Sequence, residues 1–356
     1  MRALIFLKKL DLYSGTGQLL RTQVHALRAA GMDAMLACER GGLRYFLRTG
    51  IRTKRVSASV LRARAGDPDG LIVDHNLAIP EADVVFVHNL ATDANRYLPV
   101  ADPRAAAAER EFFAALPATT PVVANSALVQ GALVEHFDLS PERIVVHHPG
   151  HEAARFAPGT RQELRARARR QLGWSDSTPV IGLVTSGNFR KRGLDLLLAS
   201  AEHVVAAEPD ARLLVVGARE LPKEVVRHPL FASGNAVYRP KNHWPELWMA
   251  ALDVFVYPAR YEEFGMVVLE ALALGVPVVT SRRVGAAECL PPEYSPWLGA
   301  VPDEREFATR TLDLLRDAHA REALAAAGSR AALERDAGRY GAETAATILA
   351  QKRRLR

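Results

Sequence analysis

The chain has 356 residues, of which 49% are apolar and 24% are charged. This length suits about two domains with buried cores, and this balance excludes wholesale disorder. No apolar run approaches the ~20 residues that cross a bilayer, and the run at 3–7 is too short for the core of a signal peptide. Two cysteines exclude a disulfide framework, so a cytoplasmic location is expected. The net charge of +6 favours anionic partners.

Short apolar runs alternate with helical windows along most of the chain. The predicted strands are 3–7, 34–37, 84–88, 122–125, 144–147, 180–185, 213–217, 254–257 and 276–280. Most are continuous Val/Ile/Leu runs, as in parallel strands that are covered on both faces. The predicted helices are 16–30, 128–137, 160–172, 194–207, 245–251, 266–274 and 337–355. This alternation predicts an α/β fold built from parallel sheets with right-handed crossovers.

The strand–helix pattern occurs twice, and Pro149, Gly150, Pro158 and Gly159 interrupt it between the two occurrences. We therefore predict two Rossmann-like domains. The predicted boundaries are 1–155 together with a C-terminal helix at about 337–356, 173–335 for the second domain, and a linker helix region at 156–172. Because ligands bind at the carboxyl ends of parallel strands, we expect a site in a cleft between the two sheets.

The segment 253–280 carries the most informative motif. It predicts a strand, a loop with Glu262 and Gly265, a helix with Glu270, and a second strand. The free amides at the start of that helix, near Phe264, Gly265 and Met266, form an anion site. Glu270 lies among apolar neighbours, where a merely solvated acid is unusual. Carboxylates beside an anion site suit a sugar nucleotide, whose hydroxyls donate to the acids while its phosphates accept from the amides.

Three further candidates follow other predicted strands. Arg190, Lys191 and Arg192 lie between the strand 180–185 and the next helix, where cations suit a diphosphate. Gly15 and Gly17 follow the first strand, but the third glycine of a dinucleotide fingerprint is absent, since position 20 is leucine. His88 ends the buried strand 84–88. A capped turn and a structural histidine remain alternatives for the last two.

These segments resemble the retaining GT-B glycosyltransferases that carry an E-x7-E motif, a glycosyltransferase family 4-like pattern. The resemblance implies two Rossmann-like domains with parallel sheets facing across a deep cleft. It assigns Glu262 and His88 to the transferred sugar, Glu270 to the ribose, and the other candidates to donor binding. The basic loop is locally similar to that of lipopolysaccharide-core glucosyltransferases. The implied reaction moves a sugar from a nucleoside-diphosphate sugar, with a UDP-sugar favoured, to a glycan or lipid-linked hydroxyl.

Other functions remain open at this stage. A nucleotide-sugar epimerase or a phosphorylase would have the same fold, and a basic nucleic-acid-binding protein is a distant alternative for which no recognition motif is present. We expect no metal and no other cofactor, because cations and helix dipoles can stabilise a departing diphosphate. Asp67-Pro68-Asp69 matches the metal-binding D-x-D triplet of another glycosyltransferase fold, but no predicted strand precedes it.

The segment 40–64 contains eight basic residues and no acidic one. Apolar residues are interleaved with these cations. Anionic headgroups attract such segments by ~1 kcal/mol per basic residue. We therefore expect either peripheral docking on the inner face of the cell membrane or recognition of a phosphorylated glycan acceptor. A solvated basic face is the alternative.

Overall fold

The structure, a computed structural model, describes residues 2–11, 14–66 and 70–354, with the last three as backbone only. The chain divides into two compact units. The first unit comprises Met1–Gly150 and Ala337–Arg356, and the second comprises His151–Asp336.

The first unit contains a seven-stranded sheet in the order β3-β2-β1-β4-β5-β6-β7, and all of its pairings are parallel. Its strands are β1 (Arg2–Phe6), β2 (Asp33–Cys38), β3 (Thr53–Arg55), β4 (Gly70–Asp74), β5 (Val84–Val87), β6 (Val122–Ala124) and β7 (Ile144–Val146). Its helices are α1 (Gly15–Ala29), α2 (Gly42–Thr49), α3 (Ala58–Arg62), α4 (Ala91–Ala94), α5 (Pro103–Ala115), α6 (Ala127–Phe137) and α15 (Ala337–Arg354), with a 3-10 turn at Pro141–Arg143. Apolar clusters cover both faces of the sheet, as the continuous apolar runs predict.

The second unit contains a six-stranded parallel sheet in the order β10-β9-β8-β11-β12-β13. Its strands are β8 (Val180–Val184), β9 (Arg212–Gly217), β10 (Ala236–Pro240), β11 (Val254–Val256), β12 (Val278–Ser281) and β13 (Leu298–Gly299). Its helices are α7 (Pro158–Leu172), α8 (Leu194–Ala207), α9 (Lys223–Val226), α10 (Pro229–Ala232), α11 (Pro245–Ala250), α12 (Met266–Ala273), α13 (Glu304–Arg316) and α14 (Ala318–Leu333), with 3-10 turns at Gly285–Cys289 and Pro292–Trp297. One large apolar cluster forms its core.

The helix α7 belongs to the second unit, whereas the sequence analysis assigned 156–172 to a linker. Its arginines are not simply solvated. Arg161 donates to the carbonyl oxygens of Gly275 and Leu252 at 2.7 and 2.8 Å, and Arg169 donates to that of Ala251. Arg169 also pairs with Asp253 at 2.8 Å. The arginines of α7 therefore bind carbonyl groups just after α11 and α12 in the same unit. A sequence pattern does not distinguish such a helix from a linker.

The C-terminal helix α15 packs on α1 in the first unit. A methyl group at Gly341 would lie 2.8 Å from the side chain of Thr22, so the two helices approach closely there. Within the described part of the chain, every helix is too short or too polar to cross a membrane.

Candidate functional site

The loop between β11 and α12 holds Glu262 by its backbone. Glu262 N–H donates to the carbonyl of Arg283 at 2.9 Å, and Gly285 N–H donates to the carbonyl of Glu262 at 3.0 Å. These bonds extend the parallel pairing of the sheet past the end of β11, as a bridge between Glu262 and Val284. Glu262 is therefore fixed at the carboxyl edge of the sheet and precedes α12, which begins at Met266.

The Glu262 carboxylate binds two side chains. The guanidinium of Arg192 lies 3.1 Å from its Oε2, and the hydroxyl of Tyr257 donates to the same oxygen at 3.2 Å. Burial opposes the charge of Arg192, but Glu262, Tyr257 and Glu263 together outweigh it and raise the Arg192 pKa. Burial and the same carboxylate raise the pKa of Tyr257, which therefore stays a neutral donor. The structure thus joins two predicted site residues that lie 70 positions apart in sequence.

A second buried ion pair lies beside the first. The ammonium of Lys191 binds the Glu263 carboxylate, and it also lies 5.9 Å from the centre of the Tyr261 ring. Glu263 is 2% exposed, and burial raises its pKa although Lys191 opposes this rise. Two of the three cations predicted to suit a diphosphate, Lys191 and Arg192, therefore already have carboxylate partners, Glu263 and Glu262.

The loop that carries both cations is built against the chain around Pro258. Arg260 N–H donates to the carbonyl of Lys191 at 3.0 Å. Gly193 has a φ of +68°, and a Cβ at this position would lie 2.1 Å from the carbonyl oxygen of Pro258. Only glycine permits this approach.

We expect Gly193→Ala to lower the melting temperature of the protein clearly more than Gly173→Ala does. Both glycines have positive φ, so both substitutions pay the left-handed backbone strain of ~1–2 kcal/mol. Nothing lies within 4 Å of a methyl group at Gly173, whereas the one at Gly193 must displace backbone. Calorimetric melting of the two variants measures the difference, and equal losses would contradict the close approach.

The remaining predicted residues of this loop and the next helix differ in their surroundings. Arg190 has an exposed side chain that donates to none of the described residues, while its carbonyl accepts from Arg260 at 3.1 Å. Phe264 is buried in the core, and its carbonyl accepts from Ala286 at 2.7 Å. Gly265 is the N-cap of α12 with a φ of +90°, and Met266 is its first residue. As at any helix start, amides here lack acceptors within the helix.

Glu270 lies in the middle of α12, about one turn from its start, and Glu262 lies outside the helix. Burial raises the pKa of Glu270 to about 7. The charges that act on it are Arg155, which lowers the pKa, and Glu246 and Glu152, which raise it. Arg155 itself binds both oxygens of Glu246, at 3.1 and 2.6 Å. Glu270 therefore belongs to a buried acid-rich cluster rather than to the Arg192–Glu262 pair.

The stability gained from Glu270→Gln should increase as pH rises from 5 to 8. Between the ordinary pKa of 4.5 and about 7, the folded carboxyl keeps a proton that the unfolded chain has lost. The wild type is therefore stabilised by this group at low pH and loses that stability as pH rises through about 7. Glutamine does not titrate. The difference in melting temperature between variant and wild type measures the effect, and a difference independent of pH would contradict it.

The predicted glycines of the first unit lie at the start of α1. Ser14 is the N-cap, and its hydroxyl accepts from Gly17 N–H at 3.0 Å, whereas Thr16 lies inside the helix and does not cap it. A Cβ at Gly17 would lie 2.0 Å from the carbonyl oxygen of Asp11, so this position needs glycine. Gly15 is the first residue of the helix.

His88, the predicted catalytic residue of the first unit, directly follows β5 and is half-buried. Its Nε2 lies 2.8 Å from Nδ1 of His75, which follows β4. Burial lowers the pKa of His88 to about 4, so its ring is neutral at pH 7. Asn125 donates to the His88 carbonyl at 3.1 Å and fixes its backbone.

Asp67-Pro68-Asp69 lies outside the described residues. Within the described ranges, no three His, Cys, Asp or Glu side chains cluster as metal ligands.

Sequence reasoning missed Tyr257, Glu263 and Arg155 as parts of the site. Tyr257 ends the predicted strand 254–257, where the other positions are apolar, so a polar group at the strand end was a usable signal. Glu263 adjoins Glu262 and gave no separate signal. Arg155 lies at the predicted domain boundary, far in sequence from Glu246, and no local pattern relates the two.

The fold resembles solved glycosyltransferase structures. The crystal structure of WaaG, a glycosyltransferase involved in lipopolysaccharide biosynthesis, superposes with a TM-score of 0.80 at 18% identity, covering 97% of this chain and 99% of that one. HepE from Anabaena, in complex with UDP and glucose, gives 0.75 at 18% identity, covering 98% and 100%. These similarities confirm the predicted GT-B fold.

Sequence comparison identifies the family. The family described as Glycosyl transferases group 1 matches residues 178–317. A GDP-mannose-dependent monoacylated alpha-(1-6)-phosphatidylinositol monomannoside mannosyltransferase of Corynebacterium glutamicum is 33% identical over 50% of this chain, and the match spans 49% of that relative. A D-inositol 3-phosphate glycosyltransferase of Frankia alni is 32% identical over 76% of this chain and 72% of its own length. The match thus spans about half the length of the first relative and 72% of the second. The chain belongs to the group 1 glycosyltransferases.

Proposed function

We propose that the protein transfers a sugar, with retention of anomeric configuration, from a nucleoside-diphosphate sugar to an acceptor hydroxyl. The observation that carries this proposal is the Glu262 carboxylate, which Arg192 and Tyr257 hold at the carboxyl edge of the sheet beside the start of α12. There, the carboxylate accepts hydrogen bonds from the sugar hydroxyls. The helix amides near Gly265 donate to the phosphates.

Arg192 is the proposed cation for the diphosphate. Its Nε–H is buried and has no partner among the described residues. Buried donors without an acceptor are rare in folded proteins, so this one suits a site that a bound anion completes. Arg190, which is exposed, and Lys191, which Glu263 binds, contribute positive potential. Glu270 is proposed to accept from the ribose hydroxyls. The departing phosphate is proposed to take the proton of the acceptor hydroxyl, and no metal or other cofactor enters this reaction.

The donor base is proposed as uracil, with guanine as the alternative. HepE was solved with UDP and with UDP-glucose, which favours the first, while the Corynebacterium relative is named as GDP-mannose-dependent, which favours the second. Calorimetric titration with UDP, GDP, UDP-glucose and GDP-mannose separates the two. Binding of neither diphosphate would contradict the proposed function.

Product analysis tests the reaction itself. Incubation with the bound donor and an acceptor is expected to give a glycoside with the anomeric configuration of the donor. Incubation with the donor alone is the control, because an epimerase would convert it without an acceptor and a phosphorylase would require orthophosphate.

The proposed acceptor bears a phosphate, on a lipid-linked glycan or on a polyol. The relatives are named for D-inositol 3-phosphate and for a phosphatidylinositol mannoside, and WaaG for lipopolysaccharide biosynthesis. Assembly of a cell-envelope glycan, of which the lipopolysaccharide core is one example, is the corresponding pathway class. The basic segment 40–64 of the first unit suits such an acceptor.

We further propose that this segment docks peripherally on an anionic membrane at the cytoplasmic face. On α2, Leu43 and Leu47 are 73% and 72% exposed, beside the exposed cations Arg44 and Arg48. Exposed leucines beside arginines are the composition of interfacial helices. Tyr45 attaches α2 to the rest of the unit, since its hydroxyl donates to the Gly17 carbonyl at 2.6 Å.

Co-sedimentation with vesicles of phosphatidylcholine, with and without phosphatidylglycerol, tests the docking. We expect binding that needs the anionic lipid and weakens with salt. The variant Leu43→Ser/Leu47→Ser should lose it. Val226→Ser, at an exposed apolar residue of the second unit, is the matched control. Equal sedimentation with and without the anionic lipid would contradict the proposal.

A further inference from the structure

A buried histidine and a half-buried one form a pair on one face of the first sheet. His75 follows β4 and His88 follows β5, and these strands are parallel neighbours. The register pairs Asp74 with Val85, so one step further along the two strands His75 lies opposite Phe86. The rings of His75 and Phe86 stack with centroids 4.4 Å apart. Because side chains on one face of a strand recur every two residues, His88 lies on the same face as Phe86.

His75 is fixed independently of His88. Its N–H donates to the carbonyl of Phe6 at 3.1 Å, which extends the pairing of β4 with β1. The preceding Asp74 turns its carboxylate to the next turn of the chain, accepting from the amides of Ala78 and Ile79 at 2.6 and 2.8 Å. His75 is 4% exposed. The backbone position of His75 is therefore held by bonds that do not involve His88.

The contact between the rings is a hydrogen bond with one proton. His75 Nδ1 and His88 Nε2 are 2.8 Å apart. Burial lowers the pKa of both rings, that of His75 well below its ordinary value, so the pair is neutral at pH 7. A neutral imidazole carries one N–H and one acceptor nitrogen. The direction of this bond therefore decides which nitrogen of His88 keeps its proton.

The surroundings of His75 favour one direction. His75 Nε2 is buried and has no partner among the described residues. If His88 donated, His75 would carry its proton on Nε2 as an orphaned N–H, which is rare in folded proteins. If His75 donates from Nδ1, its Nε2 is a bare acceptor and His88 keeps its proton on Nδ1. That atom bonds to no described residue, and the half-buried ring leaves it available to a ligand.

We propose that His75 is a positioning residue that holds His88 as the Nδ1–H tautomer, so that His88 donates a hydrogen bond to a hydroxyl of the transferred sugar. This inference rests on the proposed function and on the family resemblance, which assigns His88 to that sugar. His75 touches no substrate in this arrangement and acts through His88 alone.

Three variants separate the hydrogen bond from the ring stack. His75→Asn keeps an amide near the position of Nδ1 but loses the ring. His75→Phe keeps a ring on Phe86 but cannot hydrogen-bond. His75→Leu, close to asparagine in size, loses both. We expect His75→Asn to retain kcat within about threefold, and the other two to lose about tenfold, as one neutral hydrogen bond predicts. The donor KM should stay within twofold in all three, because the donor phosphates bind the second unit.

Nitrogen-15 NMR of the histidine rings gives a readout that does not depend on activity. His88→Gln assigns the signals of that ring. We expect the Nδ1–H tautomer in the wild type and in His75→Asn, and a mixture of tautomers in His75→Phe. If His75→Phe keeps one tautomer, or keeps kcat while its tautomers mix, the positioning role is wrong. If His75→Asn is the slow variant and His75→Phe is normal, the stack is what matters and the proposal is likewise wrong.

The proposed function and the positioning role of His75 can be refuted separately. A wild type that transfers no sugar from any donor refutes the proposed function, while the tautomer comparison still decides whether His75 orients His88. A wild type that transfers sugar, together with an unchanged His88 ring in His75→Phe, refutes only the inference.

Discussion

Replacing Glu262 by glutamine should lower the turnover of sugar transfer about a hundredfold. The carboxylate is the proposed acceptor for the sugar hydroxyls, and charged hydrogen bonds of this kind contribute ~1.5–3 kcal/mol, where 1.36 kcal/mol is a factor of ten in rate. The substitution also removes the charge that holds the Arg192 guanidinium at 3.1 Å. Both effects act at the reacting sugar, so kcat should fall more than the affinity for the free nucleoside diphosphate.

Three matched variants locate the effect. Tyr257→Phe removes one hydrogen bond to Glu262 and should cost only about threefold to tenfold in kcat. Glu270→Gln should raise the donor KM instead, because its proposed partner is the ribose. Glu208→Gln removes a carboxylate from the exposed pair with Arg316 and controls for the loss of charge. Steady-state kinetics and titration of the diphosphate measure both quantities. Turnover of Glu262→Gln equal to that of Glu208→Gln would refute the proposed site.

The sequence predicted the interior strands well because burial on both faces makes them continuous apolar runs. All nine predicted strands overlap strands of the structure. The missed ones are mostly edge or short strands, such as β3 with the residues Thr-Lys-Arg and β13 with two residues. β4 is the exception, since Leu71–Val73 is an apolar run inside the sheet but was not predicted as a strand.

The pairings within the candidate site were not predicted, although several residues that form them were candidates. Glu262 and Arg192 were both predicted as candidates. They were expected to bind the same ligand, and their direct contact was not predicted. That Lys191 and Glu263 form a buried pair depends on the close approach of Gly193 to Pro258, which is a tertiary feature. The acid cluster around Glu270 likewise joins α12 to residues 152–155 and to α11. Such long-range contacts leave no local periodicity from which they could be predicted.

Replacing Lys191 by methionine should destabilise the second unit by about 3 kcal/mol, the lower end of the ~3–5 kcal/mol measured when one partner of a buried pair is removed. The ammonium is bound to Glu263, which is 2% exposed and whose pKa burial already raises. Without Lys191 that carboxylate must remain charged in the core or take a proton. At ~2–4 °C per kcal/mol for a unit of this size, the melting temperature should fall by roughly 6–12 °C.

The double variant Lys191→Met/Glu263→Met separates the charge from the packing. Methionine approximates the length of both side chains, and exchange of a whole buried pair for apolar residues is often neutral or stabilising. We therefore expect the double variant to recover most of the stability that Lys191→Met loses, as measured by calorimetric melting of the full chain. Equal losses in the single and double variants would assign the effect to packing on Tyr261 rather than to the unpaired acid. If the double variant recovers stability but not diphosphate affinity, the loop is folded without the Lys191 ammonium. That outcome would show that the ammonium also supplies positive potential to the site.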